Sequence, residues 1–144
     1  MYEPILLFLL LLAPISILLH EIGHAIGAYL LKADVIQFSI GIGKSIFSIK
    51  LGRFNITIHL LFLFGGFIGH ERNKQYKKWE LVFISILGPL VNIIAAGLCL
   101  LIHNELFYIS FLFNLWLGIF NLIPFKWKGK KSDGYICLEV LKRG

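Results

Sequence analysis

The stretch LLHEIGHAIGAYLL, residues 18–31, decides how this chain is read. It is apolar enough to lie in a bilayer, yet it carries His20, Glu21 and His24. Ionisable side chains inside a membrane span are costly when unpaired and by default mark function. His20 and His24 are spaced i and i+4, so a helix puts both on one face, within reach of one metal ion, with Glu21 beside them. In an H-E-x-x-H arrangement the imidazoles hold zinc and leave room for a third protein ligand and a water, and the carboxylate acts as general base to that water. The plain alternative is that two histidines and a glutamate only hydrogen-bond neighbouring helices. By composition, such a match arises by chance in well under about one in a hundred chains of this length. Gly23 and Gly27, in G-x-x-x-G spacing on the same helix, would admit a close neighbour.

Working outward, the chain has 144 residues, enough for one domain, and 58% of them are hydrophobic. That share exceeds the norm for a soluble domain and indicates a polytopic membrane protein, mainly α. Three apolar runs are long enough to cross about 30 Å of hydrocarbon: residues 4–31, 79–102 and 106–123. The first has no basic residue ahead of it and is too long for a signal-peptide core, so it is expected to stay as a mature helix. Residues 35–69 differ in texture. Their β-branched and aromatic residues partly alternate and are punctuated by Gly41, Gly43, Gly52, Gly65 and Gly66, which predicts a hairpin or small sheet between spans one and two. Such a sheet is expected at the membrane surface or dipping inward against protein, because open edges cannot face lipid. Residues 124–144 form a C-terminal segment after Pro124 stops the third helix. Cys99 and Cys137 lack metal-knuckle spacing and read as packing residues.

The chain's 14 lysines and arginines all fall between spans one and two or after span three. This predicts an outside N-terminus and a cytoplasmic C-terminus and active-site face. The net charge of +6 then reflects topology beside anionic headgroups, and no nucleic-acid partner is needed. His70 to Glu80, HERNKQYKKWE, reads as an interfacial tether on anionic lipid.

A hydrolytic zinc site needs a third ligand. Asp34, His59, His70 and Asp133 are the candidates able to return to the inner half of span one. Asp133 stands out, since it follows span three and begins a short helical stretch that ends near Lys142, with Gly134 permitting a sharp turn.

With these residues in view, the chain resembles the site-2 proteases, intramembrane zinc metalloproteases. The resemblance rests on four ordered features: HEIGH at 20–24; FSIGIGKSIFSIK at 38–50 followed by LFGGFIG; GPLVN at 88–92; and NLIP at 121–124 followed by DG at 133–134. It implies that His20, His24 and Asp133 bind one zinc and that Glu21 activates the water. It also implies that Asn121 lines the site near substrate and that Asn92 helps hold the second span against the core. The chain departs from the family in a longer, Lys-rich link that ends in Ser132. It is expected to be a single bare three-helix core, residues 1–144, without PDZ or nucleotide-sensing domains.

The function so implied is zinc-dependent hydrolysis of a peptide bond in or near a transmembrane segment, as in regulated intramembrane proteolysis or the processing of a signal peptide or pheromone. The setting would be an integral protein of a bacterial cell membrane, with a separate membrane partner as regulator. The competing reading is an inactive relative that binds a membrane peptide as an immunity or assembly factor. A binder has no use for a general base beside a metal. The strand containing residues 55–63 is expected to pair with extended substrate as an edge strand, with Gly65 and Gly66 allowing close backbone approach.

Overall fold

The computed structural model describes residues 3–127 and 129–142. Lys128 and Arg143, counted among the basic residues above, lie outside the described residues. Three helices, α1 (Glu3–Leu30), α2 (Lys78–Leu100) and α3 (Glu105–Leu122), are long and apolar enough to cross a membrane. They match the three apolar runs to within a few residues. α1 includes a π turn at Phe8–Leu12. Pro14 follows after Ala13, and since it has no N–H to return to the preceding turn, a local widening there is the expected accommodation.

Between α1 and α2 lie two long antiparallel strands, β1 (Val35–Leu51) and β2 (Phe54–Glu71). Both bend sharply. The first part of β1 pairs with the end of β2, from Val35 opposite Glu71 to Ile40 opposite Gly66, while its last part pairs across the turn, from Phe47 opposite Ile58 to Leu51 opposite Phe54. Ile36 to Ile40 also lie beside Phe54 to Ile58. The hairpin thus folds over into four side-by-side segments, which shortens its unpaired edges. The predicted edge strand is corrected by this register: its first half, up to Ile58, is flanked on both sides. The segments paired on one side only are Gly66–Glu71, Phe47–Leu51 and the second half of the predicted strand, residues 59–63, where Leu61 lies opposite Ile42 and His59 opposite Ser45.

Alternation divides the sheet's two faces, as period two requires. Ile36 and Phe38 are buried in the core cluster with Ala25, Ala28 and Ile84, and Ile56 packs against it. The intervening Gln37, Ser39, Asn55 and Thr57 lie on the opposite face, where the Ser48 hydroxyl donates to Thr57 at 3.2 Å. The sheet runs back alongside α1. Tyr29 stacks on Phe54 at 6.0 Å near the helix end, and Phe62 and Leu63 share a cavity with Pro14 and Ile15 further in.

α2 and α3 are joined by a short turn in which the Asn104 side chain accepts the Leu106 N–H at 2.8 Å and caps α3. After α3 come two short paired strands, β3 (Lys126–Trp127) and β4 (Lys130–Lys131), and then α4 (Asp133–Lys142).

Candidate metal centre

The site is assembled from both ends of the chain. His20 and His24 sit one turn apart on α1, with both rings buried. Asp133 opens α4 and reaches back to them. Its Oδ2 is 3.0 Å from His20 Nε2 and its Oδ1 is 3.2 Å from His24 Nε2. The two Nε2 atoms are 3.1 Å apart.

The opposite ring nitrogens determine what these atoms can do. Asn92 on α2 donates its amide to the Ser16 carbonyl and to Asn114 Oδ1, each at 2.9 Å. Its Oδ1 therefore faces His20 Nδ1, at 2.7 Å, and must accept from it. His24 Nδ1 likewise donates to the Ile84 carbonyl at 2.8 Å. With both Nδ1 atoms protonated, each neutral ring turns an Nε2 lone pair to the same point, where the Asp133 carboxylate also points. Electron-rich groups packed this closely repel one another unless a cation lies among them. Ligand atoms about 2.0 Å from a tetrahedral ion stand roughly 3.3 Å apart, close to the separations here. The donor set therefore fits zinc. Among the described residues, His20, His24 and Asp133 are the group able to hold a metal ion.

Close backbone packing makes room for this cluster. A Cβ on Gly88 would collide with the His24 ring, and one on Gly23 would meet the Leu87 carbonyl at 2.5 Å. The GPLVN segment thus supplies the gap that His24 fills and, at Asn92, the partner that turns His20. On the C-terminal side, Ser132 is buried and caps α4 by accepting the Tyr135 N–H at 3.1 Å. Its hydroxyl also donates to the Ile123 carbonyl at 2.8 Å, and the Phe125 N–H donates to it at 3.0 Å. The Lys-rich link is thereby closed at its base, so its extra length does not displace Asp133. Gly134 lies against the end of α3, where a Cβ would collide with the Leu122 carbonyl.

Glu21 lies beside the histidines and lines a cavity of about 130 Å³ with Pro14, Ser39, Gly65 and Gly66. A Cβ on Gly66 would stand 2.7 Å from Glu21 Cγ. Gly66 is thus required by the glutamate itself.

The other sequence candidates lie elsewhere. Asp34 accepts the Asn73 N–H at 2.8 Å. His59 faces the Ile40 carbonyl at 3.3 Å. His70 packs edge-on against Tyr76, with ring centroids 5.1 Å apart. Asn121 donates to the Leu117 carbonyl one turn back and borders a cavity with Phe125 and Ser132. Pro124 follows directly on the end of α3.

Sequence reasoning did not assign roles to Ser16, Asn114 and Ser110. Asn114 donates to Ser16 Oγ and to the Ser110 carbonyl, each at 2.8 Å, extending the Asn92 network across α1, α2 and α3. The available signal was a polar residue at a buried position in each apolar run. Arg72, read as part of a lipid tether, is turned inward. It donates to both Glu80 oxygens, at 3.1 and 2.7 Å, and to the Leu31 carbonyl at 2.8 Å.

The family model described as Peptidase family M50 matches residues 7–104. A protein of Thermotoga maritima named "Putative zinc metalloprotease" is 37% identical over 67% of this chain and 22% of its own length. A Borreliella burgdorferi protein of the same name is 27% identical over 94% of this chain and 35% of its own. One from Chlamydia pneumoniae is 30% identical over 58% of this chain and 17% of its own. The chain therefore spans between about a sixth and a third of the length of these curated relatives.

Proposed function

This chain belongs to peptidase family M50, and from that premise we propose that it is a zinc-dependent intramembrane endopeptidase. Its substrate would be a membrane-bound protein or peptide, cut in or near a transmembrane segment. The observation that carries this reading is the convergence of His20 Nε2, His24 Nε2 and both Asp133 oxygens, with each Nδ1 already committed to an acceptor. These three residues would hold the zinc. Bound there, the metal supplies Lewis-acid polarisation and makes water acidic enough to ionise near neutral pH. Glu21, beside the histidines, would serve as general base to the attacking water and pass its proton to the departing amine. Gly66 leaves the space that the Glu21 side chain occupies at the cavity wall.

Peptide bonds within a lipid-embedded helix are shielded by their own hydrogen bonds, so the substrate must be extended before it can be cut. The cavity beside Glu21 adjoins the free Gly66–Glu71 edge, which makes that edge the proposed docking strand. The basic residues of the C-terminal segment and of the region between the first two spans support an orientation with the N-terminus outside and the metal cluster in the cytoplasmic half of the membrane. Selection of substrate comes from the core itself or from a separate membrane partner.

The test is zinc content and cleavage of single-span substrates by purified wild type, Glu21→Gln and Asp133→Asn. Wild type is expected to hold one zinc and to cut. Glu21→Gln should keep the zinc and lose cleavage by about 10²–10⁴-fold, and Asp133→Asn should retain zinc poorly. Wild type purified without chelator and free of zinc would overturn the reading, as would cleavage undiminished in Glu21→Gln.

A further inference from the structure

We propose that the groove between the outer side of α1 and the apolar face of the sheet seats an acyl chain of an anionic phospholipid, whose phosphate is bound by Arg53. The groove encloses about 580 Å³ and is lined by Leu18, Ile22, Ile26 and Tyr29 of α1, with Phe38 and Ile56 among the sheet residues opposite. The α1 stripe from Leu18 to Tyr29 covers roughly 16 Å of helix. That is about half of a 30 Å hydrocarbon core, the depth of one leaflet.

Three observations select the occupant. The lining is apolar along its length, so a peptide entering in extended form would find no partners for its amides, whereas an acyl chain needs none. At the Tyr29 end the chemistry changes abruptly. The Arg53 guanidinium lies 5.9 Å from the Tyr29 ring, which itself stacks on Phe54. Arg53 is exposed and has no carboxylate partner among the described residues. Arg72 makes the contrast, since its guanidinium is committed to Glu80 and to backbone carbonyls. A free guanidinium above an apolar slot suits a phosphate with a chain beneath it. Lys32 follows the end of the same helix, and Lys50 lies opposite Asn55, the residue next to Phe54. Further positive charge there favours a headgroup with net negative charge over a zwitterion carrying its own ammonium.

The experiment is native mass spectrometry of the full chain in detergent, titrated with phosphatidylglycerol or with phosphatidylcholine of the same acyl chains. Wild type should bind one phosphatidylglycerol about tenfold more tightly than phosphatidylcholine. Arg53→Gln should bring the two lipids to near parity, and Arg53→Lys should keep part of the preference. Ile26→Trp, at an exposed position in the groove, should weaken both lipids together. Lys130→Gln, away from the groove, should change neither. Glycerol 3-phosphate, which has the anion without the chains, should fail to compete at the same concentration. An undiminished preference in Arg53→Gln, unchanged binding in Ile26→Trp, or competition by glycerol 3-phosphate equal to that of the lipid would each overturn the proposal. So would displacement of the lipid by an uncharged single-span peptide, which would assign the groove to protein.

Discussion

Asn92 shows how much of a candidate metal site lies beyond the residues that would ligate the ion. The side chain is fully buried, and each of its polar atoms has a partner. Two donations to acceptors fix the direction of the amide, and the remaining oxygen fixes the His20 tautomer. Partners of this kind orient a ligating imidazole and raise its basicity. Asn92→Ala should therefore weaken zinc binding by about 10–100-fold while leaving all three ligands in the chain. Competition with a chelator of known affinity measures this directly. At Gly88 the effect is steric, because the His24 ring occupies the space a Cβ would need. Gly88→Ala should purify with little zinc, and metal analysis of the membrane-extracted protein would show it. A Gly88→Ala protein with full zinc would mean that α1 and α2 separate easily, contrary to their close contact.

Between elements, the decisive junctions are two. Arg72 ties the end of α1, through the Leu31 carbonyl, to the start of α2, through Glu80, whose Oε2 also accepts the Lys77 N–H at 2.6 Å. Arg72 further covers the Tyr76 ring at 4.0 Å. Removing one member of such a pair leaves its partner uncompensated, whereas replacing both with apolar groups avoids that penalty. Arg72→Ala should thus lower the thermal unfolding midpoint more than the double change Arg72→Met with Glu80→Leu. Equal losses in a melting comparison would reduce the pair to a surface contact. The second junction joins α3 to α4. Gly134 touches the Leu122 carbonyl, and Ser132 closes the preceding link. Gly134→Ala should swing α4 away and lose zinc even with Asp133 intact, a result that Asp133→Asn alone would not reveal.

For the molecule as a whole, the cluster joins residues far apart in the chain, with His20 and Asp133 separated by 113 positions. A metal that binds only this folded arrangement stabilises it by mass action, by about 2.7 kcal/mol when free metal exceeds Kd a hundredfold. Removing it with a chelator should lower the unfolding midpoint of wild type, and hydrogen exchange should rise first in α4. In Asp133→Asn the same treatment should change little.

What could be read in the sequence were properties held locally. Hydropathy over a window located the three spans, because lipid satisfies apolar side chains wherever they sit in the fold. The four-residue spacing put His20 and His24 on one helical face, because that period belongs to any α-helix. Alternation in residues 35–69 predicted strands for the same reason. Tertiary structure alone brought Asp133 to the imidazoles and left Asp34, His59 and His70 elsewhere, because a carboxylate or imidazole becomes a ligand only by meeting the others in space. It also folded the hairpin over, so that Asn55 to Ile58 lie inside the sheet and Gly66–Glu71 forms an edge against Glu21. The same closure turned Asn92 onto His20 and Arg72 onto Glu80. Hydrogen bonds and steric gaps between segments decide such pairings, and no periodicity along the chain records which segments will meet.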